Sequence, residues 1–360
     1  MIKGLKYRTK LAIIFSLFII FLIIIFNYFT YTRETRVIKK NLTQSMVINV
    51  EQISKNLENQ ISFLSNLSFA VASNRKIFES MTVASQDNYE EYYSEYLKKN
   101  ELILPLLNSY LSSWTQLNGV FVYTNAGDCY YLSKDIYLSK SYNYKAEDWY
   151  RQIKKSNAKS MLFLGNSMST KNGGVLPVLS YVRNIYDIDT AELLGYTKVD
   201  ISLANILNGI LSVVTSGETA VFNVLDKDNN VILSNEGLSK GLKSEDAGLI
   251  ENDSGGTIIN KDGKSRIMAY KKLKTAPWTL VYYFTNAEME RQLANVYALQ
   301  LLIILLSAAV AVAISFFIAN GMTQNIKRLK KAMETAENGN LDVRIQIKSK
   351  DEISSLGLSF

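Results

Sequence analysis

Two stretches decide how this chain must fold: LAIIFSLFIIFLIIIF (residues 11–26) and VYALQLLIILLSAAVAVAISFFIA (residues 296–319). Neither carries a charge, and the uncharged runs around them extend over 11–32 and 292–326. A helix needs about 20 apolar residues to cross the roughly 30 Å hydrocarbon core of a bilayer, so each run is long enough to span one. Between them lie about 260 residues of mixed composition, ample for a core of their own. The first run is longer than a signal-peptide core, and aromatic residues (Asn27-Tyr28-Phe29-Thr30-Tyr31) follow it instead of a small-residue cleavage site, so an uncleaved anchor is expected.

The formal charge of +7 is unevenly placed. Lys3, Lys6, Arg8 and Lys10 give the first ten residues +4, and the tail from Lys327 gives +2, which leaves the middle nearly neutral. Positive charge collects beside cytoplasmic membrane ends. Arg33, Arg36, Lys39 and Lys40 argue the other way for the first span, but two spans put both termini on one side, and Lys327, Arg328, Lys330 and Lys331 favour the cytoplasm. The expectation is a cell-membrane protein with two spans, both termini cytoplasmic and the middle outside. One cysteine, Cys129, rules out an internal disulfide, and the absence of histidine excludes His-dependent catalysis and most His-containing metal sites within these 360 residues. A nearly neutral outer domain is a poor nucleic-acid binder. No catalytic site, metal site or cofactor is expected.

Beyond the first span, Ile38, Leu42, Met46, Val50, Ile53, Leu57, Ile61, Leu64, Leu67 and Val71 step by three or four, which predicts one amphipathic helix over 33–72. Its apolar stripe can pack on its own domain, on a second copy of the chain, or on both. A second helix is predicted over 88–113. The pattern then changes to short runs rich in Val, Leu and Tyr: 119–124, 130–132, 160–166, 175–187 and 193–202, interrupted by a helix over 146–156. A helix over 203–214 leads to a second set, 219–226, 230–234, 255–260, 265–273 and 278–284, with turns at Asp228-Asn229-Asn230 and Asp262-Gly263. No sequence repeat links the two sets. Twelve tyrosines between Tyr89 and Tyr150 fit either a packed core or an aromatic cleft.

A long helix followed by two five-strand units, held between two anchors, resembles the double Cache domain of bacterial extracytoplasmic sensors. Asp148-Trp149-Tyr150 and the run from Gly195 to Ile201 add to the resemblance. The fold it implies is α+β: a stalk helix (33–72), a membrane-distal unit (73–202) and a membrane-proximal unit (203–285) within a sensor domain over 33–291. In that family a Trp-Tyr pair, a preceding Arg, a later Tyr and a strand-end Asp hold an amino acid, the Arg taking the carboxylate and the Asp the ammonium. The resemblance therefore marks Trp149, Tyr150 and Asp200, with Tyr181 as the later tyrosine. Glu147 stands where the Arg is expected, and Arg183 or Arg151 is left as a substitute.

The tail after the second span (292–320) has heptad-like steps at Ile326, Leu329, Met333 and Ala336, a stop at Asn338-Gly339-Asn340, alternation from Leu341 to Ile347, and Asp351-Glu352 opening another apolar-stepped segment. This resembles a HAMP linker over 321–360, in which Ile326, Leu329, Met333, Gly339, Leu341 and Glu352 would relay signals. The pattern breaks off at Phe360, so an output module is expected. The layout resembles sensor histidine kinases of the YesM type, and that is the reading it favours. A chemotaxis receptor front half, or a membrane-tethered binding protein without output, is the alternative. The partners implied are a small-molecule ligand or a solute-binding protein outside, the lipid bilayer, a second copy in a homodimer, and a response regulator through the missing part.

Overall fold

The computed structural model describes residues 7–81, 89–139, 142–167, 176–211, 220–235, 243–261, 264–284 and 286–338. The first apolar run and the predicted stalk form one unbroken helix, α1 (Tyr7–Ala72). A short helix that the sequence pattern does not announce, α2 (Arg75–Met81), follows, and then α3 (Tyr89–Ser113). The chain divides into two compact units. One is Leu42–Glu288; the other joins the terminal segments up to Asn41 and from Met289.

In the first unit the stripe on α1 is buried from Met46 through Val50, Ile53, Leu57, Ile61, Leu64 and Leu67 to Val71. Of the packing partners the stripe could have, its own domain is one it takes. Strands β1 (Leu117–Thr124), β2 (Cys129–Ser133), β3 (Ser160–Ser167), β4 (Leu176–Tyr186) and β5 (Leu193–Ser202) form an antiparallel sheet in the order β2-β1-β5-β4-β3. Between β2 and β3 lie a 3-10 turn (Tyr144–Ala146) and α4 (Asp148–Ser156). The helix predicted as one piece over 146–156 is thus two, split at Glu147, whose backbone is extended. Helix α5 (Leu203–Leu211) leads on to β6 (Ala220–Leu225), β7 (Val231–Ser234), β8 (Ser254–Lys261), β9 (Lys264–Lys272) and β10 (Thr279–Phe284). Their order, β7-β6-β10-β9-β8, repeats that of the first sheet strand for strand. The repeat invisible in the sequence is therefore one of topology, and the chain has the Cache fold with its two antiparallel sheets.

The long helix touches both sheets. Arg183 of β4 donates from Nε to Ser68 Oγ at 3.1 Å, and the Lys274 backbone N–H donates to Glu58 Oε1 at 2.5 Å. At the edge of the second sheet, a Cβ built on Gly256 would come within 2.8 Å of Thr43. In the first sheet, Gly195 closes the β4–β5 end. A Cβ there would fall 2.0 Å from the Tyr123 carbonyl oxygen, so only glycine lets the two backbones approach this closely.

The second unit contains the start of α1 and helix α6 (Asn286–Glu337). Among the described residues, α1 and α6 are the two helices long and apolar enough to cross a membrane. Where their polar and aromatic residues meet, the Tyr31 and Tyr297 rings lie tilted with centroids 5.5 Å apart, and Gln300 Nε2 donates to the Asn27 carbonyl at 3.2 Å. Near the other end, the Arg8 guanidinium sits 4.5 Å from the Phe316 ring centroid. Of the expected relay residues, Leu329 is buried on α6 while Ile326 and Met333 are exposed; Gly339, Leu341 and Glu352 lie outside the described residues.

Candidate functional site

Side chains alternate across a strand, so the register of the first sheet fixes which residues share a face. On β5, Tyr196, Lys198 and Asp200 point one way. Lys198 pairs with Phe121 of β1 and Val182 of β4, and Asp200 pairs with Gly119 and Ser180. Across β1, Tyr123 and Phe121 pair with Cys129 and Tyr131 of β2. This face packs against the 3-10 turn and α4, whose Tyr144, Trp149 and Ile153 complete a buried cluster with Phe121, Tyr123, Ile136, Phe163, Val182 and Tyr196.

The local chain explains how Trp149 arrives there. Asn143 caps the 3-10 turn by accepting from the Lys145 N–H, and the Tyr144 hydroxyl donates to the Thr124 carbonyl at 2.8 Å, pinning the turn to β1. Glu147 then occupies the N-cap position of α4 without capping it. Its carboxylate turns inward and accepts from the Tyr142 hydroxyl instead. Asn157, in the left-handed region at φ 51°, ends the helix after two and a half turns' worth of chain. Trp149 is thereby fully buried, edge-on to Tyr150 and Tyr196, and Tyr150 is half-buried beside them with its ring 5.5 Å from Tyr196.

Within this aromatic wall sits a charged pair. Lys198 Nζ lies 2.5 Å from Asp200 Oδ2, and the two side chains are 1% and 0% exposed. The ammonium also donates to Ser167 Oγ at 3.2 Å and stands 4.7 Å from the Phe121 ring centroid. Asp200 Oδ1 and Ser180 Oγ, buried on the same face, find no hydrogen-bond partner among the described residues. Burial raises the Glu147 carboxyl above its ordinary range, opposed by Lys198 and the Tyr142 hydrogen bond and reinforced by Asp200. Burial likewise pushes the Cys129 thiol far up, against the pull of Lys198, so it stays neutral. Two carboxyls, one ammonium and several phenols therefore share one low-dielectric layer.

Trp149 and Tyr150 stand together against Tyr196, and Asp200 lies on the same face of the sheet, four residues further along β5. The structure separates Tyr181 and Arg183 from them. Tyr181 pairs with Val199, which places it and Arg183 on the opposite face of the sheet. There Tyr181 meets Ser160 Oγ at 3.3 Å, and Arg183 reaches Ser65 and Ser68 of α1 and lines a cavity of about 620 Å³ with Phe69, Phe78 and Tyr186. Tyr196, not Tyr181, shares the face of Trp149. Arg151 pairs with Asp148 on the exposed side of α4. Three residues of the buried layer were not singled out from the sequence: Lys198, Tyr142 and Tyr196. The alternation Tyr196-Thr-Lys198-Val-Asp200 contains the signal, opposite charges two apart on one strand face.

Comparison with known proteins agrees with this architecture. The family model for the HAMP domain matches residues 317–360, over the tail that carries the relay pattern. Curated relatives include the methyl-accepting chemotaxis proteins McpA and TlpA of Bacillus subtilis, 21% identical over 78% of this chain and 19% identical over 98% of it. The chain spans 42% and 50% of their lengths, half or less. Similar solved structures include the ligand-binding domain of the Campylobacter jejuni chemoreceptor Tlp3 in complex with L-valine (17% identity, TM-score 0.49, covering 71% of this chain and 97% of that one). Another is the ligand-binding domain of the Pseudomonas aeruginosa amino acid chemoreceptor PctB in complex with L-Gln (14% identity, TM-score 0.47, covering 69% and 92%). The expected histidine-kinase relationship finds no support in these relatives, which are named as chemotaxis proteins. The model for the Cache domain matches residues 34–293, and over that span, most of its length, the chain belongs to the Cache domain family.

Proposed function

We propose that this chain is the sensing and transmitting part of a membrane-anchored receptor of the chemotaxis type, working as a homodimer. It takes a small molecule, directly or on a solute-binding protein, on the aromatic face of its first sheet. The Cache and HAMP matches support a transmembrane sensor, and the names of the curated relatives favour chemotactic over kinase output. The observation that carries the ligand site is Asp200. A fully buried carboxylate oxygen that finds no donor among the described residues, on the face of the sheet that also carries the Trp149, Tyr150 and Tyr196 cluster, is costly to maintain unless something supplies the missing bond.

Binding must favour one arrangement over another to transmit anything. Here β5, which carries Asp200, runs straight into α5, and β10 is separated from α6 by one residue. Displacement of α6 would then reach the heptad positions Ile326, Leu329 and Met333, and beyond them Gly339, Leu341 and Glu352. The positive charge flanking the two spans supports an orientation with the Cache domain outside and both termini in the cytoplasm.

The test is a metabolite screen by thermal shift on the whole chain in nanodiscs, since a ligand that binds only the folded state raises its midpoint. A hit whose effect disappears in Tyr150→Ala and in Ser180→Ala supports this site. A hit equally strong in both variants places the ligand elsewhere.

A further inference from the structure

We infer that Lys198 determines the specificity of this site by serving as the resident cation of Asp200, so that the site takes an uncharged, hydrogen-bond-donating molecule and turns away free ammonium groups. This deepens the ligand-site reading above and rests on it.

Lys198 Nζ holds Asp200 Oδ2 at 2.5 Å and neutralises the carboxylate, so a ligand ammonium at the other oxygen would add a second buried positive charge with no counter-charge of its own. A lysine ammonium has three donors. One is on Asp200, one on Ser167 Oγ, and the charge rests against the Phe121 ring. A ligand ammonium that displaced it would strand the Lys198 charge in a position 1% exposed. Leaving one partner of a buried pair uncompensated is the expensive outcome for such pairs. The other carboxyl on this face, Glu147, offers no better anchor: it is raised by burial and occupied by Tyr142. A ligand carboxylate fares no better, because Lys198 is the cation of this buried layer and is committed.

Neither end of a zwitterion therefore finds a free counter-charge. What stays open among the described residues is hydrogen bonding: an acceptor at Asp200 Oδ1 and a hydroxyl at Ser180. A neutral molecule with N–H or O–H donors matches that set, since Asp200 can accept from it with no change in the charge of the buried layer.

The experiment compares the whole chain with Lys198→Ala and with the charge-free double variant Lys198→Met/Asp200→Asn, each in nanodiscs. The probes are n-propylammonium, which replaces the deleted side chain beyond Cβ, 1-propanol as its uncharged counterpart, and L-valine as a zwitterion. Wild-type protein is expected to show no shift with any of the three. Lys198→Ala should lose thermal stability and regain most of it with propylammonium but not with propanol, and the double variant should respond to neither. If wild type is stabilised by propylammonium or L-valine, the proposal fails, and this arm needs no variant to fold. It also fails if Lys198→Ala folds and propylammonium does nothing for it. Should a neutral hit survive Tyr150→Ala and Ser180→Ala unchanged, the site reading itself falls. A hit lost in both while amines stabilise wild type removes the role of Lys198 alone.

Discussion

Lys198 and Asp200 stand two residues apart on β5 and close a 2.5 Å contact beneath a wall of aromatic rings, both almost entirely shielded from water. Removing one partner of such a pair costs roughly 3–5 kcal/mol, whereas removing both can be nearly neutral. Lys198→Met is therefore expected to lower the stability of the Cache domain by about that amount, and Asp200→Asn to act similarly. The double variant should recover most of the loss. Denaturant titrations of the four proteins give the coupling directly; additive single effects would show that the pair does not interact.

Glu147 supplies a pH signature. Its folded carboxyl titrates above the ordinary value of 4.5, chiefly because it is buried. The folded state thus keeps a proton that the unfolded state has released, and stability falls as pH rises from 4.5 through the raised value. Glu147→Gln retains an acceptor for Tyr142 and removes the titration. It should flatten this part of the profile and raise the midpoint near neutral pH by about 2–4 °C, the shift expected for 1 kcal/mol in a domain of this size. Midpoints measured across the acid-to-neutral range check it, and parallel profiles for the two proteins would contradict it.

Arg183 makes its bonds to Ser65 and Ser68 on α1, across the sheet from Asp200. Arg183→Leu is expected to cost about 1.5–3 kcal/mol, the range for hydrogen bonds to a charged group, and to leave the affinity of any ligand found at Asp200 unchanged. Calorimetric titration of the variant distinguishes this from a carboxylate-clamp role, which would weaken binding at least tenfold.

Gly195→Ala should be among the most damaging small substitutions in the first sheet. The added methyl would meet the Tyr123 carbonyl at 2.0 Å and Met81 Cε at 2.5 Å. Because one neighbour is backbone, relief requires the β1–β5 ladder to part, and a loss of about 2–3 kcal/mol follows. An unchanged thermal midpoint would show that the ladder yields easily.

The sequence makes the helices and strands legible because each is one-sided, and one-sidedness leaves a period. The stripe from Met46 to Val71 and the alternation along β5 are read directly. Face-to-face relations are another matter. Whether Tyr181 or Tyr196 joins Trp149 depends on the pairing of Tyr181 with Val199, and slipping a strand by one residue would exchange the faces. That register is set by contacts far apart in sequence. Lys198 is the harder case. A lysine at an inward position contradicts local pattern rules, and such contradictions gather at functional sites; on sequence alone the same residue fits a solvated edge strand. Glu147 was legible as a departure from the family's arginine, but its inward turn away from the α4 cap was not.

The shared strand order has a mechanical consequence. In both sheets the strand latest in the chain, β5 or β10, lies in the middle, laddered to a neighbour on each side. A strand held along both edges cannot slide by itself without breaking two rows of hydrogen bonds. It moves only with its sheet, as a stiff rod moves with the block it is set in. Helix α5, which follows β5 without a break, is thus coupled to a whole sheet and not to a loose end, so small displacements of the first sheet should be passed on along the chain.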